Sequence, residues 1–288
     1  MRGVGVGYHD RQQHEPGGQC GGSLHGGHRD DRRDPGAARD LPPEAEALRG
    51  DLTDPVSVGA ALRGVDTVFL VWPGVDTAHA PAVIEAVVER ARYLVYLSSA
   101  GIDDARPVQA DPVNQMHADV ERVIVGSASP HAAAWTLLRR TSFAASLLEW
   151  GDQVREDVVR EAFGDASRTL VHERDIAPVR TVRVLLDGSH RGERLYLSGP
   201  QPHTQVEQVR IIGEALGRTV LFEEVSADEL RAHMRGEGWT EADFEGMVTA
   251  YAAMSRAPRP VWDTVGRVTG HAPRGLAEWV RDHEASFR

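Results

Sequence analysis

Four groups of residues stand where apolar runs stop, and each carries side chains able to bind or move charge. They are Gly50-Asp51, Val71-Trp72-Pro73, Ser98-Ser99 and Arg139 to Phe143. An acid at the end of a buried run has few structural reasons to be there, so Asp51 is the best candidate for a ligand acceptor. Ser98, Ser99, Thr141 and Ser142 offer hydroxyls, and Trp72 and Phe143 offer flat apolar faces. His117 can hydrogen-bond or relay a proton near neutral pH; the alternative is an ordinary helix-surface histidine. All 32 basic residues are arginine, so Schiff-base, P-loop-lysine and lysine-assisted proton chemistry are excluded. The lone cysteine, Cys20, excludes an internal disulfide framework and a Cys-rich zinc site. His9, His14, His25 and His28 crowd the first 32 residues, but none pairs with a carboxylate at a helical ligand spacing, so no metal site is expected.

The elements that must position these groups follow from apolar periodicity. Val65 to Trp72, Tyr93 to Leu97 and Ala134 to Leu138 are near-continuous apolar runs, the pattern of strands buried on both faces of a parallel sheet. Pro55 to Arg63, Pro81 to Arg92 and Asn114 to Val125 carry helical stripes between them. This alternation predicts an α/β fold, a Rossmann-like doubly wound parallel sheet. Ligands of such sheets lie outside the carboxyl ends of the strands, which is where the four groups fall. The second half continues less regularly, with short strands at Arg168 to Val171, Leu195 to Leu197 and Val220 to Val225. Helices are expected over Asp175 to Leu186 and from Thr204 to Leu216, the latter closed by Gly217. Ser226 and Glu229 form a capping-box pattern, and Leu276 to Phe287 is an amphipathic helix.

With 288 residues and 41% hydrophobic content the chain can bury a sizeable core. A net charge of −11 disfavours nucleic acid and anionic lipid as partners. No apolar run approaches the ~18 residues of a membrane span, and no apolar leader opens the chain. The expectation is a cytoplasmic protein, monomer or homodimer, acting on a small molecule. Three segments are expected: an atypical stretch over 1–32, disordered or frameshifted; a dinucleotide-binding core over 33–150; and remaining core elements with a smaller α/β substrate-binding part over 151–288.

Several segments resemble the NmrA-like group of atypical short-chain dehydrogenases, NAD(P)-binding relatives of quinone and azo reductases. They are Gly50-Asp51-Leu52-Thr53-Asp54, Val65 to Pro73, Leu94 to Gly101, His117 to Glu121, Trp135 to Phe143, Asp165, Glu173 to Ala177 and Tyr196 to Pro200. The resemblance implies that Asp51 accepts from the adenine amino group and Leu52 covers the ring. It puts Val71, Trp72 and Pro73 along the ribose and pyrophosphate, and Ser98 and Ser99 near the nicotinamide. Thr141, Ser142 and Phe143 would face nicotinamide and substrate. Arg33 would meet a 2′-phosphate, which favours NADP(H) over NAD(H).

Two departures stand out. The Tyr-x-x-x-Lys pair of the main short-chain dehydrogenases falls on Val113 and His117, so tyrosine general-acid catalysis by that route is excluded. The group also opens with a strand, a glycine-rich turn and a helix whose N-terminus meets the pyrophosphate. Here Gly3-Val4-Gly5-Val6-Gly7 has no strand before it and no helical pattern after it, so the first strand and Gly-rich loop read as missing or altered. Codons for Tyr8 to Gln13 read one base later allow a Thr-Gly-Asn triplet, and His28 to Arg33 become strand-like. A frame error resuming near Arg33 accounts for both.

Three functions remain open. One is an NAD(P)H-dependent oxidoreductase transferring hydride to a quinone-like or azo small molecule. Another is a non-catalytic NAD(P)-binding redox sensor. The last is a chain unable to bind dinucleotide because the phosphate loop is lost.

Overall fold

The computed structural model describes residues 3–7, 48–74, 76–127, 134–176, 190–236, 240–257 and 260–288. Arg33, the codon-shifted stretches around Tyr8 to Gln13 and His28 to Arg33, and most of the helix expected over Asp175 to Leu186 lie outside these residues.

A five-stranded sheet carries the strands β1 (Gly3–Gly7), β2 (Thr67–Val71), β3 (Tyr93–Ser99), β4 (Ala134–Arg140) and β7 (Arg194–Leu197), in the order β1-β2-β3-β4-β7. Both registers given for it are parallel: Gly3 to Gly7 align with Thr67 to Val71, which align with Tyr93 to Leu97. The doubly wound α/β expectation is therefore met. The expectation that the first strand is missing is not, because Gly3–Gly7 forms β1 alongside β2. Apolar patterning overlooked it because alternating Gly and Val show no continuous apolar run, and glycine weakens a strand considered alone. Pairing with β2 supplies what local propensity lacks.

Helices fill the crossovers. In α1 (Pro55–Ala61) the Asp54 carboxylate accepts from Val56 N and Pro55 occupies the first turn, where its missing N–H costs nothing. The helix α2 (Ala80–Val88) buries Val83, Ile84 and Val87, the stripe read from the sequence. In α3 (Pro112–Gly126) the Asp111 carboxylate caps Asn114 N at 2.8 Å. Every residue of β3 is buried, as expected of a strand covered on both faces.

The described residues divide into two compact units. The first comprises 3–7, 48–139 and 190–195. Its core joins Leu52, Val58, Leu62, Val68, Leu70, Ile84, Leu94, Tyr96, Val120 and Leu137. At about 1.5–3 kcal/mol per fully buried large side chain, such a cluster is the main force holding sheet to helices.

The second unit comprises 140–176 and 196–288. It begins with a 3₁₀ helix (Ala144–Trp150) and α4 (Gly151–Arg155), then β5 (Val158–Glu161), β6 (Ser167–Arg168) and α5 (Glu173–Ile176). After β7 come β8 (His203–Thr204) and α6 (Gln205–Leu216), closed by Gly217 in the left-handed region (φ 72°) as the sequence indicated. The strand β9 (Leu221–Glu224) pairs parallel with β5, and β6 pairs antiparallel with β8. Four helices follow, α7 (Ala227–Gly236), α8 (Glu241–Arg256), α9 (Thr264–Thr269) and α10 (Leu276–Asp282), with a last 3₁₀ turn (Glu284–Ser286). The Ser226–Glu229 capping box forms in both directions. Trp150, Val159, Val209, Ile212, Trp279, Val280 and Phe287 make the core of this unit.

Candidate cofactor site

In the first unit Asp51 lies in the turn ahead of α1. Its Oδ1 accepts from both the backbone N and the Oγ1 of Thr53, at 2.8 Å each, and its own N–H bonds Ser57 Oγ. One carboxylate oxygen is thus committed to shaping the turn. Leu52 is buried in the core cluster. At the end of β2, Val71 is exposed, Trp72 is buried with its Nε1 donating to Asp76 O at 2.9 Å, and Pro73 is half-buried. Gly74 follows with φ 67°, a turn conformation that a side chain would strain.

At the end of β3, Ser99 Oγ donates to Asn114 Oδ1 at 2.6 Å and accepts from Gly101 N. A Cβ on Gly101 would meet the Asn114 amide, so a larger residue there would displace the side chain that Ser99 bonds. Ser98 is fully buried and donates to Glu121 Oε1 at 2.5 Å.

Sequence reasoning missed the network beyond Glu121. Arg139, 1% exposed at the end of β4, donates from Nε and Nη2 to both oxygens of Glu121 at 3.0 and 2.6 Å. It also clasps both oxygens of Asp104 at 2.7 Å each. That hydrogen bonding holds the Asp104 carboxyl below its usual range against the opposing effect of burial. Two signals were available: an arginine directly after the buried Leu137-Leu138, and Glu121 one helical turn from His117 on the same buried face.

His117 is 5% exposed, its Nδ1 lies 2.7 Å from the Tyr96 hydroxyl, and the rings are tilted at 5.8 Å. The surface-histidine alternative is overturned. The apolar stripe of α3 packs on β3, and His117 belongs to that stripe.

In the second unit the residues after β4 are joined to two neighbouring segments. Thr141 N donates to Leu197 O, and Ser142 O accepts from Val171 N, both at 2.9 Å; Phe143 and Val171 form a parallel bridge. The Arg140 guanidinium lies 4.1 Å over the Phe143 ring. Gly199 packs so tightly on the backbone of Leu170 that a Cβ would clash with its carbonyl. Thr141 is buried, and its Oγ1 finds no hydrogen-bond partner among the described residues. Leaving a buried hydroxyl unpaired costs about 1–3 kcal/mol, so a polar ligand atom there would recover that cost.

The comparisons with known proteins now bear on the site. A family profile described as NAD(P)H-binding matches residues 31–159. The chain is 30% identical over 248 residues to a (4-alkanoyl-5-oxo-2,5-dihydrofuran-3-yl)methyl phosphate reductase of Streptomyces griseus, covering 84% of each chain. It is 30% identical over 261 residues to an NAD(P)H azoreductase of Xenophilus azovorans, covering 88% of each. The chain belongs to the NAD(P)H-binding, NmrA-like reductases. The fold of this reductase is also that of an NADPH-dependent quinone oxidoreductase from Escherichia coli complexed with NADPH, with a TM-score of 0.71, 20% identity and coverage of 88% and 91%. It is likewise that of the Citrobacter triphenylmethane reductase complexed with NADP(H), with a TM-score of 0.68, 21% identity and coverage of 83% and 84%.

A nicotinamide dinucleotide is therefore the cofactor class of the reductase. The profile match begins at residue 31, at the end of the stretch over 1–32 that reads as atypical. No described helix is long and apolar enough to cross a membrane, and no described cluster of His, Cys, Asp or Glu could hold a metal ion.

Proposed function

We propose that the reductase oxidises NADPH in preference to NADH and passes hydride to a small conjugated acceptor, a quinone-like or azo compound. The observation that carries this reading is the loss of the tyrosine–lysine proton-delivery pair. Val113 and His117 stand at its positions in a chain without lysine, and His117 is turned into the core against Tyr96. Reduction of an alcohol-type carbonyl needs a proton delivered with the hydride. A quinone or azo acceptor leaves an anion that solvent protonates, so the protein has to orient rather than titrate. Of the two relatives at 30% identity, one is named an azoreductase, which supports this reading, and the other a dihydrofuranylmethyl phosphate reductase, which acts on another small conjugated molecule.

When bound, the reduced nicotinamide supplies the hydride and its electron pair. The chain's own groups position it. Asp51 and Leu52 would meet the adenine, Val71, Trp72 and Pro73 the ribose and pyrophosphate, and Arg33 the 2′-phosphate. Thr141 would bond the carboxamide through its unmet hydroxyl. Ser98 and Ser99 would present backbone, since their hydroxyl protons are committed to Glu121 and Asn114. Ser142 and Phe143 would face the acceptor. His117 would act through the Tyr96 hydroxyl, as a positioning residue of β3 in place of a direct proton donor.

Titration with NADPH and with NADH, followed by quinone-dependent loss of the reduced-nicotinamide absorbance, tests the reading. Tighter NADPH binding with turnover supports it. Binding without turnover indicates a redox sensor, and no binding indicates a chain that cannot hold the dinucleotide.

A further inference from the structure

Three buried side-chain polar atoms of the second unit that lack a hydrogen-bond partner among the described residues lie on two adjoining segments. Thr141 Oγ1 lies on the first; Arg168 Nε and Thr169 Oγ1 lie on the second. The segments are joined by the Ser142–Val171 hydrogen bond and the Phe143–Val171 bridge.

Arg168 is the most unusual of the three. It is 9% exposed, and its guanidinium makes one side-chain hydrogen bond, from Nη2 to Gln208 Oε1 at 2.8 Å. Gln208 is itself anchored, its Nε2 donating to His203 O at 2.7 Å. Among the described residues Arg168 forms no ion pair, although a buried guanidinium ordinarily has one. The side chain is instead framed by aromatic rings. The centroids of Trp150 and Tyr251 each lie 6.0 Å from its guanidinium carbon, and Phe163 stacks on Tyr251 at 5.6 Å, 6° from parallel.

Glu161 is the acid whose titration feels the Arg168 charge, and the two form no ion pair. Burial pushes the Glu161 carboxyl above the usual carboxylate range, against the hydrogen bond from Trp150 Nε1 and the Arg168 charge, which pull it down. Burial likewise raises the Tyr251 phenol, which stays an uncharged hydroxyl.

The frame is held in a costly conformation. Phe163 has φ 64°, a region bulky side chains avoid. Gln205 Nε2 secures it by donating to both Ala162 O and Phe163 O, at 2.8 and 2.9 Å. Strain of this kind persists where the surroundings over-determine it, often at ligand clamps.

We infer that Arg168 is the anchor for an oxyanion carried by the substrate, with Trp150, Phe163 and Tyr251 flanking the apolar body attached to it. The inference rests on the small conjugated acceptor proposed above and narrows it to acceptors bearing a sulfonate, carboxylate or phosphate. Thr169 and Leu170 separate Arg168 from Val171, three residue steps that span at most roughly 10 Å. An acid group at Arg168 and a reducible ring beside Phe143 thus lie within the reach of one small molecule.

The test compares 1,4-naphthoquinone with 1,4-naphthoquinone-2-sulfonate as acceptors for the full chain with NADPH, and measures calorimetric binding of naphthalene-2-sulfonate without turnover. The sulfonated quinone is expected to have a KM at least about tenfold lower, the factor set by ~1.4 kcal/mol from one charge-assisted hydrogen bond. Arg168→Gln is expected to abolish that preference, raising the KM of the sulfonated quinone about tenfold more than that of the neutral one, and Arg168→Lys to restore part of it. Equal KM values for the two quinones in the wild-type chain would overturn the anchor without any variant. So would calorimetric binding of inorganic phosphate at this site with no affinity for the aromatic sulfonate. If no quinone is reduced, the reaction proposed above fails, while sulfonate binding lost in Arg168→Gln still decides the anchor.

Discussion

Arg139 and Glu121 meet as a doubly hydrogen-bonded ion pair in the interior of the first unit, the closer contact being 2.6 Å from Nη2 to Oε2. The pair ties the end of β4 to the inner face of α3, and Ser98 brings in the end of β3. It joins the ends of β3 and β4, so it bears on both stability and the geometry of the candidate site. Removing Glu121 takes away the buried partner of the Arg139 charge and leaves the exposed Asp104. Glu121→Ala is expected to lower unfolding free energy by about 3–5 kcal/mol, and the double variant Glu121→Leu, Arg139→Met by distinctly less. Urea unfolding of the two variants checks this; equal losses would contradict it.

The Tyr96–His117 hydrogen bond predicts a smaller effect. Tyr96→Phe deletes one buried bond, worth about 1 kcal/mol, and leaves the imidazole to find other partners. If His117 only positions β3, turnover with a quinone should keep an unchanged pH profile in this variant. A shifted pH optimum would promote the pair to direct proton transfer.

Thr141→Val separates a ligand role from a structural one. Replacing an unpartnered buried hydroxyl with an isosteric methyl should leave the free chain as stable as before, or more so by up to about 1 kcal/mol. NADPH affinity should fall about fivefold to tenfold, measured by fluorescence titration. A stable variant with unchanged NADPH affinity removes Thr141 from the cofactor site.

Glu173 sets an acid limit on the second unit. Burial raises its carboxyl, but the hydrogen bond and charge of His172, its own backbone N–H and the charge of His283 outweigh that and bring it to about 2, from 4.5. His283 Nε2 lies 2.9 Å from Oε1, and Trp279 Nε1 donates to Oε2 at 2.9 Å. A carboxyl depressed in the folded state contributes stability above its unfolded value and loses it as pH falls through the folded one. Thermal midpoints of wild type and Glu173→Gln should therefore differ most above pH 4.5 and converge between 4.5 and 2. Glu161, raised by burial, has the opposite sign. Glu161→Gln should gain on wild type as pH rises above the unfolded carboxyl value.

The gene itself offers a direct check on residues 8–32. Resequencing is expected to reveal a single-base insertion or deletion that restores a Thr-Gly-Asn loop after Gly7. The restored chain should bind NADPH more tightly, and Arg33→Ala in it should erase any preference over NADH. An intact reading frame with no plausible indel would end this explanation.

Much of the fold was legible because it rests on local chemistry. The runs Val65 to Trp72, Tyr93 to Leu97 and Ala134 to Leu138 are apolar enough to require burial on both faces, and Gly217 and the Ser226–Glu229 box mark helix ends that the structure bears out. The strand at Gly3–Gly7 was not legible, since its glycines carry no apolar signal and its stability comes from a partner 64 residues away, as in Gly3 beside Thr67. The set of strand ends at Val71, Ser99 and Arg140 was legible to within about two residues, a consequence of parallel topology. Its internal wiring was not.

By itself, then, the sequence determined the alternation of strands and helices, the absence of lysine chemistry and the family to which the chain belongs. Tertiary structure alone decided what each polar side chain is free to do. Ser98 is bound to Glu121, Glu121 to Arg139 and His117 to Tyr96, while Thr141 and Arg168 keep buried polar atoms unmet. The physical reason is that periodicity records which face is buried, whereas hydrogen-bond satisfaction depends on groups 18 to 40 residues apart that only folding brings within 3 Å.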